Sequence, residues 1–229
     1  SLYHAEARMG QVMPDIKQTS QFILKLAVVI VAVGTIVCII PLLVVGIEPL
    51  RAAINGFLIT AAAFSTGGMT RAGSGIVAFH CWPIEVFALI LAAFGCINFV
   101  LYGDIWKGVF RNFFKDIEIR TIFVWVTILA ALMAFALVGS YFTTTGAVLR
   151  RGLFEVLSGA FNLGFSTLQG GQILFAMGSG ALFVIILSMT ICGSASSASG
   201  GIKALRIGII ARSVVQAVRE ALAPDRARP

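Results

Sequence analysis

The chain has 229 residues, of which 59% are hydrophobic and 12% are charged, and its formal net charge is +7. Soluble domains carry roughly 25% charged residues, so this composition excludes an ordinary water-soluble domain and predicts a membrane protein. The basic residues cluster between apolar stretches, which is typical of membrane topology signals and argues against a nucleic-acid-binding face. The chain begins SLYHAEARMG, a polar stretch without an initiator methionine, and we therefore expect a piece of a longer protein.

Apolar stretches predict the membrane-spanning helices. Four long ones cover residues 21–47, 84–102, 121–141 and 173–192. Each approaches or exceeds the roughly 20 residues that a helix needs to cross the hydrocarbon core. Two shorter apolar segments, Pro49–Phe64 and Ala147–Phe161, carry charge near their starts and run into glycine-containing polar stretches. Their lengths predict re-entrant helices rather than full spans.

The distribution of positive charge predicts the topology. Most of the 17 Lys and Arg residues fall before the first span, between the second and third spans, or after the fourth span. The positive-inside rule places these segments, and the N-terminus of the chain, in the cytoplasm. Both re-entrant segments then lie on the outer side. So do the remaining basic residues, which are Arg51, Arg71, Arg150 and Arg151. A two-fold internal repeat requires this arrangement.

Each re-entrant segment ends in a short polar stretch that contains glycine. The first is AFSTGGMT (Ala63–Thr70) and the second is AFNLGFST (Ala160–Thr167). Aligning the spans pairs Gly68 with Gly164, 96 positions apart. Irregular backbone at membrane depth is costly unless it lines a cavity, and its carbonyls can replace the hydration shell of a cation. The repeated pattern favours a carbonyl-lined ion pathway over the alternative, a pair of ordinary extracellular turns.

A second motif, CGSASSASGGIK (Cys192–Lys203), follows the fourth span. Gly and Ser disfavour a helix interior, so this segment predicts a loop at the cytoplasmic half of the membrane. Two interpretations remain open: a gate across a permeation path, or an interfacial loop with Lys203 extended to the lipid headgroups. Beyond it, Ile202–Ala223 predicts either an amphipathic helix on the inner face or the lower part of a broken fourth helix. Phe110–Arg120 is interpreted as a solvated loop.

Enzymatic chemistry has no support in the sequence. The phosphate-binding pattern GxxxxGK[ST] is absent, and no serine, histidine and carboxylate arrangement suggests hydrolysis. The four cysteines lack the spacing of metal ligands, and those in apolar runs are expected to act as small hydrophobic side chains. We therefore expect no enzyme activity and no cofactor, with a permeant ion as the only bound species.

The segment CGSASSASGGIKALR resembles the intramembrane gating loop of the Trk/Ktr family of bacterial potassium-uptake pore subunits. SGAFNLGFST is similar to the third filter segment of that family and ITAAAFSTGGMT to the second. LYHAEARMGQVMPDIKQTSQFILKLAVVI is similar to the linker between the first and second repeats. The resemblance thus covers essentially the whole chain, but only the middle two of the four repeats of the family.

The resemblance assigns roles to two sets of residues. The residues that match the carbonyl-supplying filter, and hence the K⁺ site, are Ser65, Thr66, Gly67, Gly68, Asn162, Leu163 and Gly164. The residues that match the gating loop are Gly193, Ser194, Ser196, Ser197, Ser199, Gly200, Gly201 and Lys203.

The family implies an all-α integral membrane fold of tandem helix–pore loop–helix repeats, as in a potassium-channel-like pore. The expected parts are a cytoplasmic linker (1–20), a first repeat (21–120) and a second repeat (121–229) with the gating loop and a C-terminal amphipathic helix. The resemblance also implies potassium uptake across the bacterial inner membrane, a homodimer, and a cytoplasmic nucleotide-binding regulatory subunit of the TrkA/KtrA type.

Two other hypotheses compete with a potassium-uptake pore. The first is a multi-span scaffold or assembly subunit with no pathway. The second is a tandem-pore potassium channel, which the sequence disfavours because neither glycine-containing stretch shows a TVGYG-type run.

Overall fold

The computed structural model describes residues 16–71, 73, 75–79, 81–106, 108, 110–137, 145–168 and 178–222. Over these ranges the chain is mostly helical. The α-helices are α1 (Ile16–Val44), α2 (Pro49–Phe64), α3 (Trp82–Cys96), α4 (Phe99–Trp106), α5 (Phe110–Lys115), α6 (Ile117–Ala136), α7 (Thr145–Ala160), α8 (Gly178–Ser188) and α9 (Ala204–Leu222). A 3₁₀ helix covers Gly75–Phe79, and two short strands, β1 (Ile191–Cys192) and β2 (Ile202–Lys203), pair in parallel.

The two longest apolar helices, α1 and α6, are each long and apolar enough to cross a membrane. They expose large hydrophobic side chains along most of their length, among them Leu24, Ile36 and Phe123, each at least 65% exposed. Such surfaces are unfavourable in water and favourable against lipid. The predicted all-α integral membrane fold is confirmed, and the first and third predicted spans correspond to these two helices.

The second predicted span, residues 84–102, is not one continuous helix. It is divided into α3 and α4, whose axes differ by 93° across a break at Ile97 and Asn98. The Oδ1 atom of Asn98 accepts a hydrogen bond from the backbone N–H of Val100 at 3.0 Å, and so caps the start of α4. This cap satisfies a backbone donor that the bend would otherwise leave unpaired.

The fourth predicted span is also shorter than expected where it is described. Helix α8 ends at Ser188, and residues 191–192 belong to β1 rather than to the helix. Residues 173–177, the start of that predicted span, lie outside the described residues. After the loop, α9 covers most of the predicted amphipathic segment Ile202–Ala223.

Helices α2 and α7, which were predicted to be re-entrant, agree in length and spacing with the predicted internal repeat. Helices α2 and α7 are both 16 residues long, and each boundary of α7 lies 96 positions after the corresponding boundary of α2. The following helices, α3 and α8, start with the same offset, at Trp82 and Gly178. Agreement in length and spacing shows two copies of one structural unit.

Two hydrophobic clusters form the core, one for each unit. The first packs α1, α2 and α3 around residues such as Leu42, Ile59 and Ile84, and the second packs α6, α7 and α8. Leu163 and Phe165 belong to the second unit but lie buried in the first cluster. The two units are therefore packed together just after α7 ends.

The segment between the repeats differs from its prediction as a solvated loop. Residues 110–115 form α5, and residues 117–120 form the first turn of α6. Asp116 caps α6 by accepting hydrogen bonds from the N–H groups of Glu118 and Ile119, at 2.7 and 3.3 Å. Glu118 itself is only 1% exposed. This segment therefore includes a buried ionisable side chain, that of Glu118, which a solvated loop would not contain.

Candidate ion pathway

The first re-entrant helix ends in a sharp turn, here called kink 1 (residues 65–68). The N–H of Thr66 donates to the carbonyl of Ala63 at 3.2 Å, and the N–H of Gly67 donates to the carbonyl of Ala62 at 2.8 Å. These two bonds are those of a Schellman motif, which ends a helix with one residue in the left-handed conformation. That residue is Thr66, with φ 54°.

The second re-entrant helix ends in the same way, in kink 2 (residues 161–164). Asn162 donates to the carbonyl of Gly159 at 3.1 Å, and Leu163 donates to that of Ser158 at 2.8 Å. Asn162 is left-handed, with φ 52°. Every donor and acceptor lies 96 positions after its counterpart in kink 1. Thr66 and Asn162 are the non-glycine residues with positive φ in the described chain, so the repeat extends to the strained positions of the backbone.

The two kinks meet at Gly68 and Gly164. A Cβ atom on Gly68 would lie 2.7 Å from the Cα and 2.9 Å from the carbonyl oxygen of Gly164. A Cβ on Gly164 would lie 3.0 Å from the Cα of Gly68. Both residues also have positive φ, at 63° and 75°. Two independent constraints therefore require glycine at both positions: the positive φ and the close contact between the two backbones.

Most of the kink carbonyls accept no hydrogen bond from the described residues; the exception is the carbonyl of Phe161, which accepts from the thiol of Cys96 at 3.0 Å. Over the described part of the chain, no hydrogen-bond donor reaches the backbone carbonyls of residues 65–68 or 162–164. The carbonyl ends of α2 and α7, which carry partial negative charge, terminate at the same place. Among the described residues, no group of three or more His, Cys, Asp or Glu side chains could hold a metal ion. The arrangement suits a monovalent cation held by backbone oxygens.

The segment after kink 2 is fastened to α7 by a carboxylate that sequence reasoning did not select. Oε1 of Glu155 accepts hydrogen bonds from Ser166 Oγ at 2.9 Å, Thr167 N at 2.8 Å and Thr167 Oγ1 at 3.1 Å. The hydroxyl of Ser158 also donates to the carbonyl of Phe165. Position 59, which corresponds to Glu155 in the first repeat, is a buried isoleucine. Only kink 2 has this fastening within the described residues.

The small-residue loop (residues 193–203) packs against both kinks. The hydroxyl of Thr66 donates to the carbonyl of Ala198 at 3.1 Å. The thiol of Cys192, at the start of the loop, donates to Oδ1 of Asn162 at 3.3 Å. A Cβ on Gly200 would lie 3.1 Å from Nδ2 of the same asparagine. The two left-handed residues of the kinks therefore both contact the loop or the residue that begins it.

The backbone of the loop is bonded to the bend between α3 and α4. Ser194 N donates to the Cys96 carbonyl at 2.9 Å, and Ala198 N donates to the Gly95 carbonyl at 3.0 Å. Phe99 N in turn donates to the carbonyl of Ser196 at 2.9 Å. The bend leaves peptide groups of α3 and α4 without helical partners, and the loop supplies them. These hydrogen bonds hold the small-residue loop against the bend between α3 and α4.

Several predicted loop residues bond within the loop itself. The hydroxyl of Ser197 donates to the carbonyl of Ser194 at 2.7 Å and lies 2.9 Å from the hydroxyl of Ser199. Nζ of Lys203 donates to the carbonyl of Ser199. Gly193 and Gly201 have positive φ, at 36° and 73°. The ammonium of Lys203 thus contacts the loop backbone, and its effect on a passing cation stays a prediction.

Sequence reasoning missed Asn98, Glu118 and Glu155, which position the loop or kink 2. Asn98 and Glu118 are hydrogen-bonded to each other at 3.1 Å, and Glu118 also accepts from Ala195 N at 2.8 Å. The available signal was the presence of ionisable or amide side chains next to apolar segments, which is costly without a partner. The sequence could not name those partners.

Comparisons with known proteins find similarity to cation transporters. No protein-family model matches it. An uncharacterised cation transporter of Methanocaldococcus jannaschii is 26% identical over 99% of the chain, and the Trk system potassium uptake protein TrkH of Halomonas elongata is 27% identical over 77%. The crystal structure of the potassium transporter TrkH from Vibrio parahaemolyticus covers 93% of the chain with a TM-score of 0.74 and 21% identity. The chain is thus similar to TrkH in sequence and in fold.

The predicted resemblance to the Trk/Ktr family is confirmed by these similarities, and the relatives are transporters rather than enzymes. The chain spans less than half the length of each of them: 43% and 36% of the two sequence relatives and 44% of the solved structure. The match to the solved structure supports the fold.

Proposed function

We propose that the chain forms part of a potassium-conducting pore in which kinks 1 and 2 provide two adjacent parts of a carbonyl-lined selectivity filter. The observation that carries this proposal is the backbone contact between Gly68 and Gly164 at the ends of two matched helices. A contact of this kind brings unpaired carbonyls from both repeats to one place, and the helix ends add negative potential there. The names of the relatives, which are cation and potassium transporters, support the same function.

We infer further that the small-residue loop is the gate of this pathway. The hydrogen bond between Thr66 and Ala198, and the contacts of Asn162 with Cys192 and Gly200, support this inference, because an ion leaving the kinks on that side meets the loop. Lys203 is proposed to add positive charge to the closed loop. The alternative function, a non-conducting scaffold, does not account for closely apposed glycines with free carbonyls.

The proposed context of the pore follows the predicted resemblance. The protein is proposed to lie in the bacterial inner membrane with the start of this chain in the cytoplasm, to form homodimers, and to bind a TrkA/KtrA-like nucleotide-binding regulatory subunit on its cytoplasmic face. The parts proposed are a linker (1–20) and two repeats (21–120 and 121–229). No cofactor is proposed beyond the permeant ion.

A filter with four-fold pseudo-symmetry cannot be closed by two repeats. We expect the isolated chain, reconstituted in liposomes, to give little selective ⁸⁶Rb⁺ flux, and we expect flux to appear when two further repeats from a longer relative are fused to it. Flux is measured as tracer uptake against a potassium gradient, with empty liposomes as the control. Strong Rb⁺-selective flux by the isolated monomeric chain would contradict the four-part filter.

A further inference from the structure

We propose that Glu118 is a positioning residue that latches the small-residue loop in its closed position. The proposal rests on the proposed function, since it assumes that the loop gates the pathway. Glu118 lies in the first turn of α6 and is 1% exposed. Its two oxygens are both used: Oε1 accepts from the N–H of Ala195 in the loop at 2.8 Å, and Oε2 accepts from Nδ2 of Asn98 at 3.1 Å.

A buried carboxylate is costly to maintain unless its surroundings compensate it. The N-terminus of α6 supplies positive partial charge at the position of Glu118, and Asp116 takes over the capping of the first turn. The carboxylate of Glu118 is therefore not needed as a cap, and both of its oxygens are directed to neighbouring elements. An apolar side chain would fill this space at lower desolvation cost, but it could not accept a hydrogen bond from the loop.

The latch joins three elements at one point. Asn98 caps α4 through its Oδ1 atom while its Nδ2 atom donates to Glu118, so its orientation is fixed by the bend between α3 and α4. Ala195 lies between Ser194 and Ala198, whose backbone N–H groups donate to the carbonyls of Cys96 and Gly95. Among the described residues, Glu118 provides the side-chain hydrogen bond that ties residues 194–198 to α6. Movement of the loop away from the kinks requires that bond to break.

The donor and acceptor roles of Asn98 and Glu118 can be exchanged by mutation, and this exchange tests the latch. In Glu118→Gln, the new amide group faces the Nδ2 donor of Asn98, and two donors oppose each other. In Asn98→Asp, two carboxylates face each other. In the double variant, the carboxylate at position 98 accepts from the amide at position 118 while its other oxygen still caps α4, and the amide oxygen at position 118 still accepts from Ala195 N. The reversed pair restores every hydrogen bond of the original one.

The measurement is ⁸⁶Rb⁺ flux, together with the Rb⁺/Na⁺ flux ratio, in the full-length protein that carries this chain. We expect each single variant to raise the flux about tenfold, the size of effect typical for a lost hydrogen bond to a charged group, and the double variant to return it to within about twofold of the wild type. The flux ratio should not change, because the kinks are untouched. The matched control is Glu220→Gln on α9, an exposed glutamate that accepts from Gln216 at 2.8 Å, which should leave the flux unchanged.

A wild-type protein without Rb⁺ flux would overturn the proposed pore, whereas a conducting wild type separates that failure from a failure of the latch. Unchanged or lower flux in a correctly folded Glu118→Gln variant, or a double variant without recovery, would overturn the latch. Should Glu118→Gln not accumulate in the membrane, Glu118→Asp decides the matter. Its shorter side chain cannot reach both donors, so raised flux supports the latch and wild-type flux refutes it.

Discussion

Replacement of Gly68 by alanine is expected to reduce selective ion flux strongly. The new Cβ would lie 2.7–2.9 Å from three backbone atoms of Gly164, and no rotation of a side chain can relieve an overlap between two backbones. The positive φ of Gly68 adds about 1–2 kcal/mol of strain. The kinks must therefore separate, and the carbonyls of both repeats lose their common position. We expect ⁸⁶Rb⁺ flux to fall at least about tenfold, with Gly164→Ala showing the same effect.

Two nearby glycines supply matched controls for this experiment. Gly75 has a φ of 66°, but a Cβ there meets nothing within 4 Å, so Gly75→Ala tests the backbone strain without the overlap. A Cβ on Gly73 also meets no described atom within 4 Å, and Gly73 has no positive φ, so Gly73→Ala tests neither the strain nor the overlap. Both control variants should retain flux. Normal flux and normal selectivity in Gly68→Ala and Gly164→Ala would favour the scaffold hypothesis and end the proposal of a filter.

Replacement of Glu155 by leucine is expected to destabilise kink 2 more than any change on the surface. Leucine preserves most of the volume but removes the acceptor of Thr167 N and Thr167 Oγ1, while Ser166 Oγ keeps the carbonyl of Leu168 as an acceptor at 2.8 Å. Unsatisfied buried donors cost about 1–3 kcal/mol each, and partial relaxation reduces the sum, so we expect a loss of about 2–4 kcal/mol in the free energy of unfolding. The Rb⁺/Na⁺ flux ratio should fall as well, because the segment adjoins Gly164.

The conservative variant Glu155→Gln keeps an oxygen at the shared acceptor position. We expect it to lose less than about 1 kcal/mol of stability and to keep its selectivity, because the fastening depends on an acceptor rather than on charge. Glu48→Leu is the surface control: Glu48 pairs with Arg51 at 3.2 Å, but both side chains are more than 60% exposed, and such pairs contribute little. Equilibrium unfolding in detergent measures the free energy of unfolding of all three variants. Equal stability of Glu155→Leu and the wild type would contradict the proposed fastening.

Composition and hydropathy alone were enough to predict the class of the protein and the outline of its repeat. Hydropathy is a local property, so the apolar length and the glycine-containing ends of Pro49–Phe64 were sufficient to predict a re-entrant helix with its observed boundaries. The pairing of Gly68 with Gly164 followed from the spacing of the spans alone. The bend at Ile97 and Asn98 was not predicted, because both halves of that span are apolar and no proline marks the break.

The groups that act together are known only from the three-dimensional packing. The contact between Gly68 and Gly164 joins segments that share no local pattern, and the bond from Ala195 to Glu118 joins residues 77 positions apart. The dense charges of Phe110–Arg120 predict a solvated connection, yet Glu118 is buried since its donors come from the loop and from Asn98. The energy of a buried polar group depends on partners supplied by distant segments, and composition and periodicity do not contain them.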